Sequence, residues 1–333
     1  MTTTDKDPTP APWRVFDGTV SVPRPVDKWP EAPPWRQFHG ELLEERSFTG
    51  ADQYKGETFR TTPQMVEMVN AALHLRRPLL LTGRPGSGKS SVIEAVAWAL
   101  ELGRVLVWAV TSRTSLKDGL YQYDALGRLY EQQRTNESPD IGRFIELGPL
   151  GTALLPTRRP RALLIDEIDK SDMDFPNDLL NVFERGEFHI PELARLENDK
   201  PVYVREFGGA EKFPIGGGQV RCLEFPFVVL TSNGERDFPA PFLRRCLRYS
   251  MPSPTDFNLL ESIVVAHLGQ DAASRAQDMI EQFAKESANK AVATDQLLNA
   301  VFLIMRSNDM GDDEKLRVLT AVTRELADST GPR

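Results

Sequence analysis

The sequence predicts a three-layer α/β domain built on a parallel sheet, followed by a smaller all-helical domain. In the middle of the chain, short and nearly continuous apolar runs alternate with amphipathic stretches, which is the pattern of buried parallel strands joined by helices. Beyond residue 255 the strand-like runs stop and only helical periodicity remains. We therefore expect a Pro-rich N-terminal tail or strap over 1–50, the α/β domain over 51–252 and the helical domain over 253–333.

The candidate elements follow one another in regular alternation. Strands are predicted at Leu79–Thr82, Val105–Thr111, Ala162–Ile165, Phe227–Thr231 and Leu247–Tyr249. Helices are predicted from Pro63 onward, at Lys89–Leu102, near Ser115–Leu126, at Phe175–Arg185 and near Pro241–Arg245. Four amphipathic stretches follow, FNLLESIVVAHL, ASRAQDMIEQFA, TDQLLNAVFLIM and DEKLRVLTAVTREL. In the long connection after residue 186, VYVREF is a candidate strand, and GGGQVRCLEF is its candidate hairpin partner.

The first 50 residues carry no helical or strand period but contain Trp13, Trp29 and Trp35. One interpretation is a flexible tail. The other is a strap whose tryptophans dock on the body of the protein or on a partner, because disordered segments seldom carry so much aromatic surface.

The composition argues against a dominant nucleic-acid or membrane-surface role, because the formal net charge is −8. No apolar run approaches the roughly 20 residues of a membrane span. The opening MTTTDKDPTPAPW lacks the basic start and apolar core of a signal peptide, so we expect a cytoplasmic protein. Cys222 and Cys246 are expected to be reduced, buried thiols, and the four histidines are not spaced as metal ligands.

The stretch after the first strand matches the phosphate-loop pattern G-x-x-x-x-G-K-[ST] and opens a predicted helix. Glycines let the backbone N–H groups turn toward phosphate oxygens, and the helix adds its free N–H groups. Lys89 is expected to reach the β- and γ-phosphates, and the Ser90 hydroxyl to bind Mg²⁺. The predicted nucleotide-binding residues of the loop are Gly83, Arg84, Pro85, Gly86, Ser87, Gly88, Lys89, Ser90 and Ser91.

The apolar strand ALLID ends in two acidic residues, Asp166 and Glu167. A carboxylate at the end of a strand beside a phosphate loop holds Mg²⁺, which we assign to Asp166, and an adjacent Glu can activate the attacking water. Glu167 is therefore the predicted general base. The alternative is an acidic loop of the kind that follows many buried strands.

Two further groups follow the fourth strand. Asn233 is predicted to orient the attacking water, although Asn before Gly234 is also a common turn pair. Arg244 and Arg245 are expected to serve a neighbouring subunit by stabilising transition-state charge, the alternative being two solvated surface arginines.

These residues, in this order, resemble the AAA+ ATPases of the P-loop NTPase fold, over about Phe59 to Asp328. Within that superfamily the chain looks most like the MoxR family. The similar blocks are RFIELGPLGTALL, DEIDKSDMDFPNDLLNVFERGEFHI and LTSNGERDFPAPFLRRC.

The resemblance implies a parallel sheet of strand order 5-1-4-3-2 with a helical lid. It also implies an ATP- and Mg²⁺-dependent ring, expected to be a hexamer, with ATP between subunits and Arg245 at the arginine-finger position. Family members are thought to remodel partner proteins, often beside one with a von Willebrand factor A domain, and some related branches look like parts of bacterial conflict systems.

The chain departs from the family pattern at the start of one lid helix. The family usually has an ATP-contacting arginine there, whereas this sequence has Asp295 and Gln296. Either the lid senses nucleotide weakly, or Arg275 or Arg306 takes the role. In the helix-2 region, Tyr121 and Tyr123 could either face a central pore or pack in the core. The segment Tyr54–Phe59, before the first helix, lies where related proteins surround the adenine.

Three functions remain open from the sequence. The favoured one is an ATP-hydrolysing ring that remodels or activates a partner protein. A motor acting on nucleic acid, like a clamp loader or helicase, shares the fold but fits the acidic charge less well. A nucleotide-gated scaffold without turnover is disfavoured by the intact Lys89, Glu167 and Asn233.

Overall fold

A computed structural model of the chain describes residues 13–26, 29–42, 51–196, 200–252, 255–287, 293–306 and 317. Within these residues the strands are β1 Leu79–Thr82, β2 Leu106–Ala109, β3 Tyr121–Tyr123, β4 Ile145–Leu147, β5 Ala162–Asp166, β6 Glu187–His189, β7 Val202–Arg205, β8 Lys212–Ile215, β9 Gln219–Arg221, β10 Phe227–Ser232 and β11 Leu247–Ser250.

The α-helices in the same residues are α1 Gln53–Thr58, α2 Pro63–Leu75, α3 Lys89–Ala99, α4 Leu116–Leu120, α5 Ala125–Thr135, α6 Pro149–Ala153, α7 Phe175–Arg185, α8 Pro191–Ala194, α9 Ala240–Leu243, α10 Phe257–Leu268, α11 Gln270–Arg275, α12 Gln277–Ser287 and α13 Thr294–Arg306. Short 3₁₀ turns occur at Pro34–Arg36, Ile141–Phe144 and Ile168–Lys170. Within the described ranges, no helix combines the length and apolar character needed to cross a bilayer.

The central sheet has five parallel strands in the order β11-β1-β10-β5-β2. Counted along the chain as strands 1 to 5, this is the order 5-1-4-3-2 that the family resemblance implied, and it is confirmed. Strand β2 is shorter than predicted. It lies at the edge of the sheet and pairs only with β5, from Leu106 opposite Leu163 to Ala109 opposite Asp166.

Strands β1, β5 and β10 are buried on both faces, which explains why they read as apolar runs, whereas burial alternates along the edge strands β2 and β11. Leu80 faces one core together with helix α7, whereas Leu79 and Leu81 face the other together with helices α2 and α3. Because successive side chains of a strand point to opposite faces, a sheet covered on both sides needs apolar residues at every position. The two cysteines lie inside the protein as expected, and burial raises the pKa of Cys222 and of Cys246 to about 12.

The helix predicted near Ser115–Leu126 is wrong in its extent. Helix α4 ends at Leu120, and residues 121–123 form β3, which pairs antiparallel with β4. The chain leaves the helix because the Tyr121 side chain packs in the core, where it is 5% exposed. Asp124 then starts α5, its carboxylate accepting a hydrogen bond from the Gly127 N–H. Core packing is therefore the role of Tyr121.

The predicted hairpin partner in the long connection is also wrong. Strand β7 pairs antiparallel with β8, whereas β9 pairs with β6. The glycine run is a turn and not a strand, because Gly217 and Gly218 have φ of +56° and +70°. A side chain on Gly218 would lie 2.6 Å from the Ile190 carbonyl oxygen, so the backbones approach too closely there for any other residue.

The described part of the N-terminal segment packs against the body of the protein. Phe16 is 1% exposed in the core beside α2 and α3. The buried Asn70 amide accepts from the N–H groups of Val15 and Phe16 and donates to the Phe16 carbonyl. The tryptophans differ, since Trp29 is partly buried and Trp35 is 74% exposed.

The C-terminal helices α10 to α13 surround a small core of their own, which includes Leu260, Ile280, Phe283 and Leu297. The single helix predicted from ASRAQDMIEQFA is two, because the chain leaves helical geometry at Ala276. The stretch DEKLRVLTAVTREL lies outside the described residues, apart from position 317.

Candidate functional site

Three neighbouring strands of the sheet deliver the predicted site residues to one edge. The phosphate loop follows β1, Asp166 ends β5 with Glu167 directly after it, and Asn233 follows β10, which lies between the other two strands. Because the strands are parallel, their carboxyl ends meet on the same side of the sheet. The structure therefore brings together residues that are far apart in sequence.

The loop between β1 and α3 has the backbone geometry of an anion cradle. Gly83, Gly86 and Gly88 have φ of +154°, +70° and +80°, which side-chain-bearing residues rarely adopt. Helix α3 starts directly after Gly88 without a side-chain cap, so its first N–H groups face the loop. The Ser87 hydroxyl is buried and has no hydrogen-bond partner among the described residues. An uncapped helix start and an orphaned hydroxyl fit the oxygens of a bound phosphate.

Lys89 joins the loop to β10. Its side chain is only 8% exposed, and its ammonium donates to the carbonyl oxygens of Gly83 and Arg84, each at 2.9 Å. A third hydrogen bond goes to Asn233 Oδ1 at 2.8 Å. Burial lowers the pKa of Lys89, and nearby carboxylates, Asp169 foremost, oppose that change. The cation is thus held at the loop by three acceptors.

Asp166 is the centre of a second set of contacts. Its Oδ1 accepts hydrogen bonds from Ser90 Oγ at 3.1 Å and from Thr231 Oγ1 at 2.5 Å. Thr231 Oγ1 in turn accepts from the Glu167 N–H at 2.8 Å. Hydroxyl and carboxylate oxygens are ligands that Mg²⁺ prefers, and Mg²⁺ commonly uses only one or two carboxylates together with substrate phosphates. The sequence reasoning gave Thr231 no role, because its contact with the acidic strand is a tertiary one.

Glu167 has an unusual backbone. Its φ of +57° is left-handed, which costs a non-glycine residue about 1 kcal/mol or more and is found preferentially at functional sites. Its carboxylate is half-exposed and forms an ion pair with Lys170 at 2.6 Å.

Asp169 fixes the loop that carries Asn233. Its side chain is 5% exposed, and its Oδ2 accepts from the N–H groups of Asn233 at 2.9 Å and Glu235 at 3.2 Å. Its Oδ1 has no hydrogen-bond partner within the described part of the chain. The sequence signal was present, since Asp169 is the third acidic residue of DEID, but it was not singled out.

A cavity of about 510 Å³ opens beside the phosphate loop. One end is formed by the loop together with Asp166, Glu167 and Asn233. Phe59 and Met251 lie against the loop itself, near Gly88 and Gly83. The rest of the wall, here called the apolar end, is lined by Met65, Tyr249, Leu259, Ile263 and Leu298. An apolar cavity with polar groups at one end suits a ligand with a flat apolar part and a charged part.

His267 lies at the apolar end. Its ring meets Tyr54 edge-on, and its Nδ1 is 3.3 Å from the Tyr54 hydroxyl. Burial lowers the pKa of His267, and the positive charge of Arg60 lowers it further. The imidazole is therefore held toward its neutral form.

Helix α13 reaches the phosphate loop from the helical domain. The Thr294 N–H donates to the Gly86 carbonyl at 3.4 Å. A side chain on Gly86 would lie 2.2 Å from Ala293 Cβ and 2.9 Å from Asp295 Oδ1. Asp295 also lines the cavity, so an acidic residue stands where the family resemblance led us to expect an arginine.

Neither candidate replacement for that arginine, Arg275 or Arg306, has a side chain that lines the cavity in the described part of the structure. Arg275 pairs with Asp271 at 3.3 Å and is not among the residues lining the cavity. Arg306 ends α13, and its side chain lies outside the described part.

Arg244 and Arg245 lie at the end of α9 and are not part of the cavity wall formed by described residues. Arg244 is exposed. Arg245 Nε lies 2.5 Å from Glu184 Oε1, and its side chain is 42% exposed. The structure therefore separates these arginines from the phosphate loop of their own chain.

Residues 78–245, half of the chain, match the model of the AAA domain, dynein-related subfamily. The chain belongs to the AAA family. The matched residues of this AAA domain run from the start of β1 to Arg245, and so include the phosphate loop, Asp166, Glu167 and Asn233.

Solved structures of low sequence identity are similar to this AAA protein. Domain III of the replication initiation protein DnaA from Thermotoga maritima is 15% identical, with 81% of this chain and 97% of that chain covered and a TM-score of 0.42. PCH-2 from C. elegans is 13% identical, with 82% and 72% covered and a TM-score of 0.41. The RuvB Holliday junction branch migration motor of Thermotoga maritima is 14% identical, with 78% and 67% covered and a TM-score of 0.40.

Proposed function

We propose that the chain is an ATP-hydrolysing AAA ring ATPase of the MoxR type, which remodels or activates a partner protein. The observation that supports this most is the joining of three strand ends at one cavity. Lys89 contacts Asn233 across β1 and β10, and Asp166 contacts Ser90 and Thr231. An ammonium, a carboxylate and an amide beside a glycine loop are the groups that nucleoside-triphosphate hydrolysis requires.

ATP is the proposed substrate, with its phosphates in the loop and its base at the apolar end of the cavity. The loop residues from Gly83 to Ser91 supply N–H groups and the Lys89 ammonium. Ser90 and Asp166 would hold Mg²⁺, which neutralises phosphate charge when bound. The buried and unpartnered Ser87 hydroxyl within the described residues supports this placement.

Glu167 is the proposed general base, which takes the proton of the attacking water on its carboxylate. Its ion pair with Lys170 is half-exposed, and exposed pairs are worth about 0–1 kcal/mol, so exchanging the lysine for water costs little. Asn233 is the proposed water-orienting residue, since Asp169 holds its backbone while Lys89 holds its side chain.

The position of the arginines supports the proposed ring. Arg245 is outside the cavity of its own chain, so the proposal gives it the neighbouring subunit's triphosphate, with Arg244 beside it. We further propose a hexamer, domain bounds near residues 51 and 252, and a client protein that carries a von Willebrand factor A domain. The net charge of −8 supports a protein client over nucleic acid.

Glu167→Gln tests the proposed chemistry. ATP turnover should fall by about 10²- to 10⁴-fold, the usual contribution of a general base, while ATP binding stays within about 3-fold of wild type because the loop is intact. Glu137→Gln is the matched control, since Glu137 is exposed and distant in sequence from the cavity residues. Unchanged turnover in the Glu167 variant would remove it as the base.

The same variant, held with ATP, is the bait for the client. Capture of a protein with a von Willebrand factor A domain supports the proposed role. Salt-dependent stimulation of wild-type turnover by DNA would favour the nucleic-acid motor instead. ATP binding without turnover in any assembly state of the wild type would favour the nucleotide-gated scaffold.

The arginine is tested by mixing. Arg245→Ala protein should bind ATP but hydrolyse it about 10³- to 10⁵-fold more slowly, and Lys89→Ala protein should fail to bind. A mixture should regain activity, because an intact pocket in one subunit then meets an intact arginine in the next. A mixture that stays inactive would contradict a role for Arg245 in the neighbouring pocket.

A further inference from the structure

The N-terminal segment inserts a buried arginine beside the end of α7. Arg36 is 7% exposed, and its Nη1 donates to the Phe183 carbonyl at 2.8 Å. Its Nε and Nη2 both donate to the Arg76 carbonyl, at 3.1 Å and 2.5 Å. Its guanidinium also lies over the rings of Phe38 and Phe225. Arg36 therefore ties this segment to the ends of both α2 and α7.

The residue after Phe183 is Glu184, whose carboxylate lies between two arginines. Glu184 Oε2 is 3.9 Å from Arg36 Nη1, and Glu184 Oε1 is 2.5 Å from Arg245 Nε. The first arginine is fixed by buried contacts, whereas the second is 42% exposed. One carboxylate thus connects a rigid cation to a movable one.

The way Arg245 is held leaves it able to bind an anion. The Glu184 carboxylate accepts a hydrogen bond from Arg245 Nε, and Arg245 Nη1 donates to the Pro241 carbonyl at 3.2 Å. A guanidinium has five N–H groups, so these two hydrogen bonds leave the other N–H groups for a phosphate. Binding through Nε fixes the plane of the group without occupying its outer edge.

We propose that Glu184 is a positioning residue for Arg245, and that Arg36 holds Glu184 in place from the N-terminal segment. This inference rests on the proposed function, in which Arg245 acts on the neighbouring subunit's triphosphate. It makes the N-terminal segment part of the catalytic apparatus of the ring, although the segment lies outside the matched AAA domain.

The pair is too exposed to be explained by stability alone. Both side chains of the Glu184–Arg245 pair are more than two-fifths exposed, and such surface pairs contribute about 0–1 kcal/mol to folding. The orientation of Arg245 can affect the rate much more strongly than the pair affects stability, because a displacement of about 1 Å of a catalytic group can reduce a rate by about 100-fold. Loss of Glu184 should therefore affect turnover far more than stability.

The test measures kcat and KM for ATP. Glu184→Ala should lower kcat by about 10-fold and leave KM within about 2-fold, because ATP binds in a pocket that Glu184 does not touch. Glu184→Gln keeps an oxygen acceptor for Arg245 Nε. Its kcat should therefore recover more than half of the kcat that Glu184→Ala loses. Equal losses in both variants, or a loss confined to KM, would overturn the proposal.

A double-mutant cycle identifies the partner. Glu184→Ala should add no further loss to Arg245→Ala, since a positioning residue has nothing to position once the arginine is gone. Additive losses would overturn the inference. If Arg245→Ala itself keeps full turnover, the arginine assignment of the proposed function is wrong; if it loses turnover while Glu184→Ala does not, only the present inference is wrong.

Arg36→Lys and Phe38→Leu test the link to the N-terminal segment. Each should lower kcat by about 2- to 5-fold with KM unchanged, and neither should lower it further in the Glu184→Ala background. Phe38→Leu serves if Arg36→Lys prevents folding, because it leaves Arg36 in place and replaces the ring beneath the guanidinium, which also stacks on Phe225. Trp35→Ala, at an exposed neighbouring position, is the matched control. Losses that add to that of Glu184→Ala would contradict the link.

Discussion

The two ends of the cavity are built differently. At the phosphate-loop end, the end of β10 holds two of the polar side chains: Asn233 contacts Lys89, and Thr231 contacts Asp166. At the opposite end the walls are mostly apolar side chains. Among the described residues, the helical domain meets the loop through two long hydrogen bonds of 3.4 Å, from the Thr294 N–H to the Gly86 carbonyl and from Arg84 Nη1 to the Ser287 carbonyl. The comparison teaches that chemistry depends on the sheet edge, whereas the helical end adjusts affinity. Effects of substitution should therefore decrease from the loop toward the lid.

Lys89→Ala should have the largest effect on binding. The substitution removes a buried cation that is expected to donate hydrogen bonds to the phosphates. Each hydrogen bond to a charged group contributes about 1.5–3 kcal/mol, so each lost contact should weaken ATP binding by about 10- to 150-fold. Titration with a fluorescent ATP analogue measures it. Lys212→Ala, an exposed lysine on β8, is the control. If Lys89→Ala bound ATP as tightly as Lys212→Ala does, the conclusion that the phosphate-loop end controls binding would be contradicted.

Thr231→Val should have a smaller effect, mainly on turnover. The substitution keeps the shape but removes the hydroxyl that donates to Asp166 and accepts from the Glu167 N–H. Because the residue is fully buried, both partners lose a hydrogen bond, which we expect to lower kcat by about 10-fold. Steady-state kinetics with a parallel thermal-unfolding measurement checks this. A loss of stability without a loss of kcat would assign Thr231 to folding alone.

Asp295→Asn should make binding tighter by about 2- to 5-fold. The Asp295 carboxylate faces the phosphate loop from α13 and carries the same sign of charge as the ATP phosphates. Removing a solvent-exposed charge of this kind should change the binding free energy by at most about 1 kcal/mol. Asp278→Asn is matched, because Asp278 also lies in the first turn of a helix of the same domain, away from the cavity. Weaker ATP binding in the Asp295 variant would mean that the lid carboxylate helps to hold the ligand, and would reverse our view of that end.

The smallest effect concerns pH. Burial lowers the pKa of His267, so the unfolded chain binds its proton more tightly than the folded protein does. The contribution of His267 to the free energy of unfolding is therefore fully present above about pH 6.5 and decreases as the pH falls from there toward the lowered folded-state value. Urea unfolding of wild type and of His267→Gln at pH 7.5 and 5.5 measures this difference. A wild type that loses no more stability than the variant would contradict it.

The phosphate-loop end was readable from the sequence because its signals are local. The pattern from Gly83 to Ser90 lies within eight consecutive residues, and the acidic pair follows directly on an apolar strand. All five strands of the central sheet were also located, but only β1, β5 and β10 are buried on both faces and so leave a continuous apolar signal. The order of those strands came from the family resemblance.

The rest depends on contacts between distant residues. Tyr121 is drawn into a strand by the core it packs against, although the sequence around it favours a helix. Strand β8 alternates between exposed and buried residues but is only four residues long and contains a proline, so its sequence signal is weak and its pairing with β7 defines it. The same holds for Thr231, whose role appears only when β10 lies beside β5. The contact of Glu184 with Arg245 spans 61 residues and has no local pattern.

The most direct test of the account is a calorimetric titration of the purified protein with ATP and Mg²⁺, run beside Lys89→Ala under the same conditions. The account predicts saturable uptake of ATP by the wild type and none by the variant at the same concentrations. A wild type that takes up no ATP in any assembly state, or a variant that binds as tightly as the wild type, would contradict the claim that the loop and the ammonium of Lys89 hold a triphosphate.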